Sequence, residues 1–130
     1  MYSHITIGTA NIPRAARFYD DVLKPLGLTR SKTFKVAAAY APEGFDGINE
    51  PFWILRPIDK AAPSPGNGVT VAFDAGSRAA VDAFHAAALA AGGRDEGSPG
   101  LRLHYHPHYY GAYVRDLDGN KICAVCHKPA

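Results

Sequence analysis

The stretch that decides the fold is HITIGTANIPRAARFYDDVLKPLG, residues 4–27. It returns in degenerate form as TVAFDAGSRAAVDAFHAAALAAGG, residues 70–93, so position 4 falls on position 70, an offset of 66 residues. The two copies align without a gap, and Phe18 falls on Phe84. Few residues are identical, but apolar and small positions recur in the same order. A repeat of this kind predicts two copies of one structural unit.

Each copy has the pattern of a strand followed by a helix. Ile5 and Ile7 alternate with polar residues, a period of two that is typical of a strand with one buried face. Apolar residues then recur at helical spacing after Asn11, whose side chain is suited to cap a helix N-terminus. Ser77 takes the place of Asn11 in the second copy, and glycine follows both predicted helices.

Short strands are predicted after each helix. The first copy offers Lys35–Ala41 and Pro51–Arg56, with an edge strand near Thr29–Ser31, and the second offers Tyr109–Arg115 and Lys121–His127. The prediction is therefore an α+β fold of two tandem β-α-β-β-β modules.

We place module one at 1–60, a linker rich in proline and glycine at 61–68, and module two at 69–130, all within a single domain.

The composition limits which partners and which cellular location we expect. The 130-residue chain has 14 Lys and Arg against 12 Asp and Glu, with no basic run to displace counterions from phosphates, so nucleic acid is not expected. No apolar stretch approaches the ~20 residues that span a bilayer. The N-terminus lacks the features of a signal peptide, and two cysteines are too few for a disulfide scaffold. We expect a cytoplasmic protein with no membrane partner.

Several motifs, in order along the chain, resemble the glyoxalase, bleomycin-resistance and extradiol-dioxygenase group, the vicinal oxygen chelate superfamily. They are His4–Gly8 followed by Arg17–Asp20, then Val71–Phe73, and finally Tyr113–Ile122. The stretch Leu101–Gly111 is similar to uncharacterised proteins described as glyoxalase-related or lactoylglutathione-lyase-like. The resemblance covers essentially the whole chain.

The resemblance implies two modules that curl their sheets around one cleft, and homodimers are common in the family. Members often hold a divalent metal there, such as Zn, Ni, Fe or Mn. The metal positions fall on His4, Trp53, Thr70 and Cys123, and only His4 is of the type that the family prefers. Threonine supplies a neutral hydroxyl, and the indole nitrogen only donates. We therefore expect no intact metal centre and no other cofactor, and a ligand pocket that these four positions help to line.

Strand alternation supports part of this placement. If Ile5 and Ile7 pack on the helix, His4 faces the cleft, and the same reasoning turns Thr70 and Cys123 inward. Each residue has a plainer interpretation: His4 only hydrogen-bonds, Cys123 is a small, half-buried apolar residue, and Trp53 is ordinary core. The orientation of Trp53 rests on the resemblance alone.

The segment from 104 to 110 has the most unusual composition of the chain. We interpret it as an aromatic lip over the cleft, whose side chains contact a ligand together with Tyr113; the lip residues concerned are His104, His106, His108 and Tyr110. The alternatives are a structural loop packed on the sheet and, less favoured, a histidine metal cluster. Arg102 beside it is either the partner of an anionic ligand or a solvated surface residue. His85, on the second helix, is expected at the surface.

The stretch 123–127 matches the C-x-x-C-H pattern of haem attachment. Residues three apart on a strand point to opposite faces, so the match is interpreted as a coincidence.

Three functions remain open. The first is a protein that binds a small organic molecule without a conventional metal centre. The second is a metal-dependent lyase, isomerase or dioxygenase with rearranged ligands such as His4, Cys123 and a lip histidine. The third is a non-catalytic dimeric interaction protein. Whether the chain is an enzyme is left open; if it is one, a glyoxalase-related lyase or dioxygenase is expected, with His4 as the best catalytic candidate.

Overall fold

The computed structural model describes all residues of the chain, 1–130. Each module has the predicted order of one strand, one helix and three strands. The elements of module one are β1 Ile5–Gly8, α1 Ile12–Leu23, a short 3-10 turn Lys24–Leu26, β2 Leu28–Thr33, β3 Ala37–Pro42 and β4 Phe52–Leu55. Those of module two are β5 Val71–Asp74, α2 Arg78–Ala90, β6 Arg94–Leu101, β7 Tyr110–Arg115 and β8 Lys121–Cys126. Neither helix has the length and apolar character needed to cross a membrane.

The strands form two four-stranded sheets with equivalent topology. Sheet one has the order β1-β4-β3-β2, and sheet two has the order β5-β8-β7-β6. In each sheet the first strand of the module pairs in parallel with the last, and the other pairs are antiparallel. Strands β1 and β5 therefore lie at equivalent sheet edges, and each leaves one side of its backbone without a strand partner.

Both predicted helix caps are confirmed. The side chain of Asn11 accepts a hydrogen bond from the backbone N–H of Arg14 at 3.0 Å, and Ser77 accepts one from Ala80 at 3.1 Å. These bonds satisfy amide groups that have no partner within the first turn of a helix. The chain leaves module one's helical segment through Gly27, whose φ of 78° favours glycine.

The two helices lie between the two sheets. Helix α1 packs on sheet one, α2 packs on sheet two, and the helices contact each other, so one apolar core serves both modules. Gly93, shortly after α2, lies close to both modules. A Cβ there would come within 2.8 Å of the Arg115 carbonyl oxygen and 3.1 Å of the Phe18 ring. Phe52 and Phe73 also meet edge to face across the modules, with ring centroids 5.0 Å apart.

Polar contacts between the modules centre on the turn from β7 to β8. Asp116 is buried there and accepts a 2.6 Å hydrogen bond from the hydroxyl of Tyr19 on α1. Burial, together with the neighbouring carboxylate, raises the pKa of Tyr19 well above its usual value. Thr9 donates to Asp118 at 2.6 Å, and the Asn120 side chain donates to the Gly8 carbonyl at 2.9 Å. This turn thus also fixes the two modules to each other.

Two features differ from the sequence expectations. Strand β6 was not located, because its polar and glycine-containing sequence includes a proline and its pairing with β7 shifts register twice. Such irregularity is tolerated at a sheet edge. His85 is buried, contrary to the expectation of a surface residue, since it faces β6 and its Nε2 lies 2.9 Å from the Asp95 carboxylate.

Candidate functional site

Each sheet has an inner face covered by its helix and an outer face turned away from the helices. On sheet one, the strand register places Thr6, Trp53 and Ala39 side by side, and His4 shares their face by alternation. On sheet two, a second row on the outer face consists of Ala72, Cys123, Tyr113 and Gly97.

The predicted pocket residues consequently fall on two separate surfaces. His4 and Trp53 lie on the outer face of sheet one, whereas Cys123 and Tyr113 lie on that of sheet two. Thr70 is exposed just before β5, on the same side as the second group by alternation. The two helices stand between the sheets, so a single chain does not bring the four family metal positions together.

A hydrogen-bonded network holds the side chains on sheet one. The Asn49 amide donates to His4 Nδ1 at 3.1 Å and accepts from Trp53 Nε1 at 3.0 Å. The indole nitrogen also donates to the Glu50 carbonyl at 2.9 Å. Because His4 Nδ1 accepts in this arrangement, a neutral ring carries its proton on Nε2. Phe34 lies parallel to the Trp53 indole, with centroids 6.4 Å apart, and extends the apolar surface.

Glu50 is a residue that the sequence patterns do not single out. Its side chain is only 3% exposed, and its Oε1 lies 3.1 Å from Lys32 Nζ. The second oxygen, Oε2, is buried and has no hydrogen-bond partner. A buried carboxylate is costly unless it is fully paired, so this oxygen is an available acceptor. In the sequence, Glu50 looks like an ordinary exposed residue of a surface turn, and only the folded structure shows that it is buried.

Cys123 lies beneath two tyrosines on sheet two. The hydroxyls of Tyr109 and Tyr113 are 2.6 Å apart and lie beside the thiol. Burial raises the pKa of Cys123, and the neighbouring hydroxyls offset only part of that rise. The thiol is therefore protonated at neutral pH, and it is neither a ready nucleophile nor a ready metal ligand. Gly111 permits this cover, because a Cβ there would come within 2.9 Å of the Tyr109 ring.

The lip, residues 104–110, includes most of the loop between β6 and β7 and is held by contacts of its own. His106 Nε2 lies 2.8 Å from Nδ1 of His127, and the backbone N–H of His108 donates to His106 Nδ1 at 3.1 Å. His104 lies against Tyr105, with ring centroids 4.2 Å apart and the ring planes tilted by 42°. Most of these rings pack on one another rather than converge on one point.

Tyr110 is the exception among the predicted pocket residues and needs correction. Its register partner is Cys126, which belongs to the core, so its ring lies on the inner face of sheet two. There its hydroxyl donates to Asp82 on α2 at 2.6 Å, and Arg78 lies over the ring. Cys126 itself points away from Cys123, and both thiols are free, as strand alternation predicts for the C-x-x-C-H match.

The donor set of one chain does not fit a glyoxalase-type metal centre. No cluster of three or more His, Cys, Asp or Glu side chains is close enough together to hold an ion. His4 Nδ1 already accepts hydrogen bonds, Trp53 has no lone pair to offer, and Cys123 is a covered thiol on the other sheet.

Comparison with known proteins gives a consistent result. The family model described as glyoxalase/bleomycin resistance protein/dioxygenase superfamily matches residues 2–124. A crystal structure of a glyoxalase/bleomycin resistance protein from Albidiferax ferrireducens is 37% identical, with 99% of each chain covered and a TM-score of 0.84. No protein with curated information matches the chain.

More distant structures share the fold. A glyoxalase-related enzyme from Fulvimarina pelagi is 19% identical, with 97% of this chain and 87% of that one covered and a TM-score of 0.70. A glyoxalase/bleomycin resistance protein/dioxygenase family enzyme from Burkholderia phytofirmans is 18% identical, with coverages of 97% and 98% and a TM-score of 0.70. At these identities the similarity speaks for architecture alone.

Proposed function

Because the chain belongs to the glyoxalase/bleomycin resistance protein/dioxygenase superfamily, we propose that it binds a small organic molecule without a glyoxalase-type metal centre. The binding cleft is completed by a homodimer, in which the outer face of sheet one on one copy meets that of sheet two on the other. The location remains our sequence-based expectation, the cytoplasm.

The observation that carries this proposal is the separation of the two outer faces within one chain. His4 and Trp53 lie on one side of the helices, and Tyr113 and Cys123 lie on the other. A two-fold dimer brings one face of each kind together twice. The free edges of β1 and β5 support such a contact, because an unpaired strand edge readily extends a sheet.

The donor chemistry supports the metal-free part of the proposal. In a cleft assembled from two copies, the family metal positions still supply one imidazole, one indole, one hydroxyl and one covered thiol. Divalent zinc, nickel, iron or manganese prefers several imidazoles, carboxylates or thiolates. The aromatic and amide groups around Trp53 instead suit an organic ligand with a flat apolar part and a few hydrogen-bonding groups.

If the protein is an enzyme, the groups on sheet one are the best placed to move a proton. His4 would donate from Nε2, since Asn49 occupies Nδ1. This role deepens the prediction of His4 as the catalytic candidate, because the bond from Asn49 fixes which ring nitrogen carries the proton.

The test combines mass, metal content and ligand capture on purified protein. We expect a dimer in sedimentation equilibrium, metal well below one ion per chain, and thermal stabilisation by members of a small-molecule library. Stoichiometric metal that is lost in His4→Ala would favour a metal-dependent lyase or dioxygenase with rearranged ligands. A stable dimer that no small molecule stabilises would favour an interaction protein, and a monomer would contradict the shared cleft.

A further inference from the structure

We propose that the outer face of sheet two carries a site for the carboxylate or phosphate group of a small anionic molecule, formed by Arg102 and Lys121 around the ring of Tyr113. The inference rests on the proposed function, because it names the class of ligand that the same cleft binds. It uses residues outside the family metal positions.

A pocket is present at this place. It has a volume of about 340 Å³, and its lining includes Arg102, Lys121 and Tyr113 together with His104 and Tyr105 of the lip. That volume suits a small molecule or one end of a larger one.

The guanidinium of Arg102 is held in place by the backbone of strand β6. The guanidinium donates to the carbonyl oxygens of Gly100 and Ser98, each at 2.9 Å. A Cβ on Gly97 would come within 3.0 Å of Arg102 Nη2, and one on Gly100 within 3.3 Å of Nη1. The absence of side chains at these two glycines lets the guanidinium lie against the strand. A cation held by neutral carbonyls keeps its full charge and has N–H groups left for an anion.

Lys121 is the second cation, and it makes no ion pair. Its Nζ lies 5.3 Å from the centroid of the Tyr113 ring, and the guanidinium carbon of Arg102 lies 5.6 Å from the same centroid. A cation near an aromatic face is stabilised by the ring without being neutralised. Both cations therefore lie near the same ring and line the same pocket.

The one acidic residue that lines the pocket is already paired. Glu96 accepts a 2.8 Å hydrogen bond from Nε of Arg115, which holds the pKa of that carboxyl below its usual value. Arg115 is thus the bonded partner of Glu96, and Lys121 also attracts that carboxylate, so one negative charge stands against the three cations Arg102, Lys121 and Arg115. The hydroxyl of Tyr113 is bound to Tyr109, and burial raises its pKa, so the tyrosine brings no negative charge. The balance of charge favours an anionic ligand.

The geometry also indicates how the anion is held. A guanidinium presents parallel N–H groups that match two oxygens of a carboxylate or phosphate, whereas an ammonium acts as a point charge. Arg102 would set the orientation of the group, and Lys121 would add attraction. The neighbouring rings of His104 and Tyr105 would contact the body of the molecule.

The test is a titration of the purified protein with three related compounds, followed by amide chemical shifts in nitrogen-15 NMR spectra. Benzoate carries a carboxylate, phenyl phosphate carries a phosphate, and benzamide has the same ring without a charge. We expect both anions, and not benzamide, to shift the amides of Gly97 and Lys121. The tighter of the two anions identifies the group that the site prefers.

Matched variants separate a built site from a general charge effect. Lys121→Met should weaken anion binding about tenfold, the equivalent of losing one charged hydrogen bond. Lys35→Met removes the same charge from an exposed loop beside sheet one and should leave binding unchanged. Arg102→Gln should weaken binding at least as much; if it unfolds the lip, Lys121→Met still decides the question.

Equal binding of benzamide and benzoate would overturn the anion site while leaving small-molecule binding intact. Equal losses in Lys121→Met and Lys35→Met would also overturn it, because the effect would then be one of net charge. Absence of binding by both anions at tens of millimolar has the same consequence. The dimer mass and the library screen judge the proposed function independently of these outcomes.

Discussion

The two modules share one scaffold, and their outer faces have different character. Sheet one carries an imidazole, an indole and a buried carboxylate with an unpartnered oxygen, contributed by His4, Trp53 and Glu50. Sheet two is covered in part by its own lip, and its free charges are the cations Arg102 and Lys121. The carboxylate of Glu50 is paired with Lys32, so the two faces differ in the groups that they offer a ligand, and a cleft shared between two copies would combine these groups.

The inner faces diverge less because packing constrains them. A change on an inner face must fit a close-packed core, whereas a change on an outer face meets solvent or a ligand. The repeat is therefore visible in the sequence at inner positions such as Phe18 and Phe84, which both lie in the common core. Function has diverged where the scaffold left room.

The largest effect is expected at the glycines that end the two repeats. Gly93→Ala would place a Cβ within 2.8 Å of one backbone carbonyl and 2.9 Å of another, so we expect a loss of about 3 kcal/mol in the free energy of unfolding. The equivalent Gly27→Ala meets no atom within 4 Å and pays only for its φ of 78°, about 1 kcal/mol. Urea denaturation of both variants measures the difference. Equal losses would mean that Gly93 does not lie as close to these two carbonyls as described.

The next effect concerns Tyr19 and His85, which occupy equivalent helix positions and both bond a carboxylate. Tyr19 reaches across to Asp116 of module two, whereas His85 bonds Asp95 within its own module. Tyr19→Phe should lower the free energy of unfolding by about 1.5 kcal/mol, because it removes a buried bond to a charged group. Asp116 keeps its other donors in the variant, including the side chain of Asn120 at 2.9 Å.

The same bond gives an alkaline signature. The folded-state pKa of Tyr19 is raised, so its contribution is complete below the ordinary tyrosine value of 10.0 and declines as the pH rises beyond that value. The advantage of wild type over Tyr19→Phe should therefore shrink above about pH 10. Denaturation midpoints of the two proteins at pH 7 and at pH 11 provide the measurement. A constant difference would show that the hydroxyl is not held as described.

A third contrast lies between the two cysteines. Cys123 is covered on the outer face by Tyr109, whereas Cys126 is packed in the core. Tyr109→Ala should uncover one thiol and raise its rate of modification by a disulfide reagent by about tenfold or more, with the second thiol protected. Counting the modified residues by mass spectrometry identifies which thiol reacts. Modification of both at one rate would indicate unfolding, which far-ultraviolet circular dichroism would reveal.

Much of the fold was open to prediction because local chemistry specifies it. Asn11 and Ser77 cap their helices through bonds within three residues, and the period-two pattern around Ile5 predicts β1. Strand β6 is not predicted from the sequence, because a strand at an irregular sheet edge does not need an alternating apolar pattern. The glycine that follows each helix was predictable for the same reason as the caps, because the end of a helix is also specified by nearby residues.

The candidate site was only partly predictable. Strand alternation turns His4 and Cys123 away from the helices, but it cannot tell that the two outer faces point apart, since that depends on how α1 packs on α2. The burial of Glu50 and the position of the Arg102 guanidinium depend on contacts between residues of different strands and loops. The prediction that Tyr110 lines the pocket is wrong. It rests on the composition of the lip, whereas strand alternation places Tyr110 on the same face as the core residue Cys126.

The smallest effect is expected at Asp95, the exposed partner of His85. Its pKa is lowered, first by the hydrogen bond from His85 and then by the backbone N–H of Gly97. A carboxyl with a depressed folded-state pKa stabilises the fold above its unfolded value, and that contribution is lost as the pH falls through the folded value. Asp95→Asn should therefore lower the denaturation midpoint slightly at pH 7, and this difference should shrink as the pH is lowered below about 4, the ordinary carboxyl value. Because Asp95 lies at the exposed edge while Asp116 is buried between modules, its variant should also be much milder than Tyr19→Phe at pH 7. A larger loss at Asp95 than at Tyr19 would place the key polar contact within module two instead of between the modules.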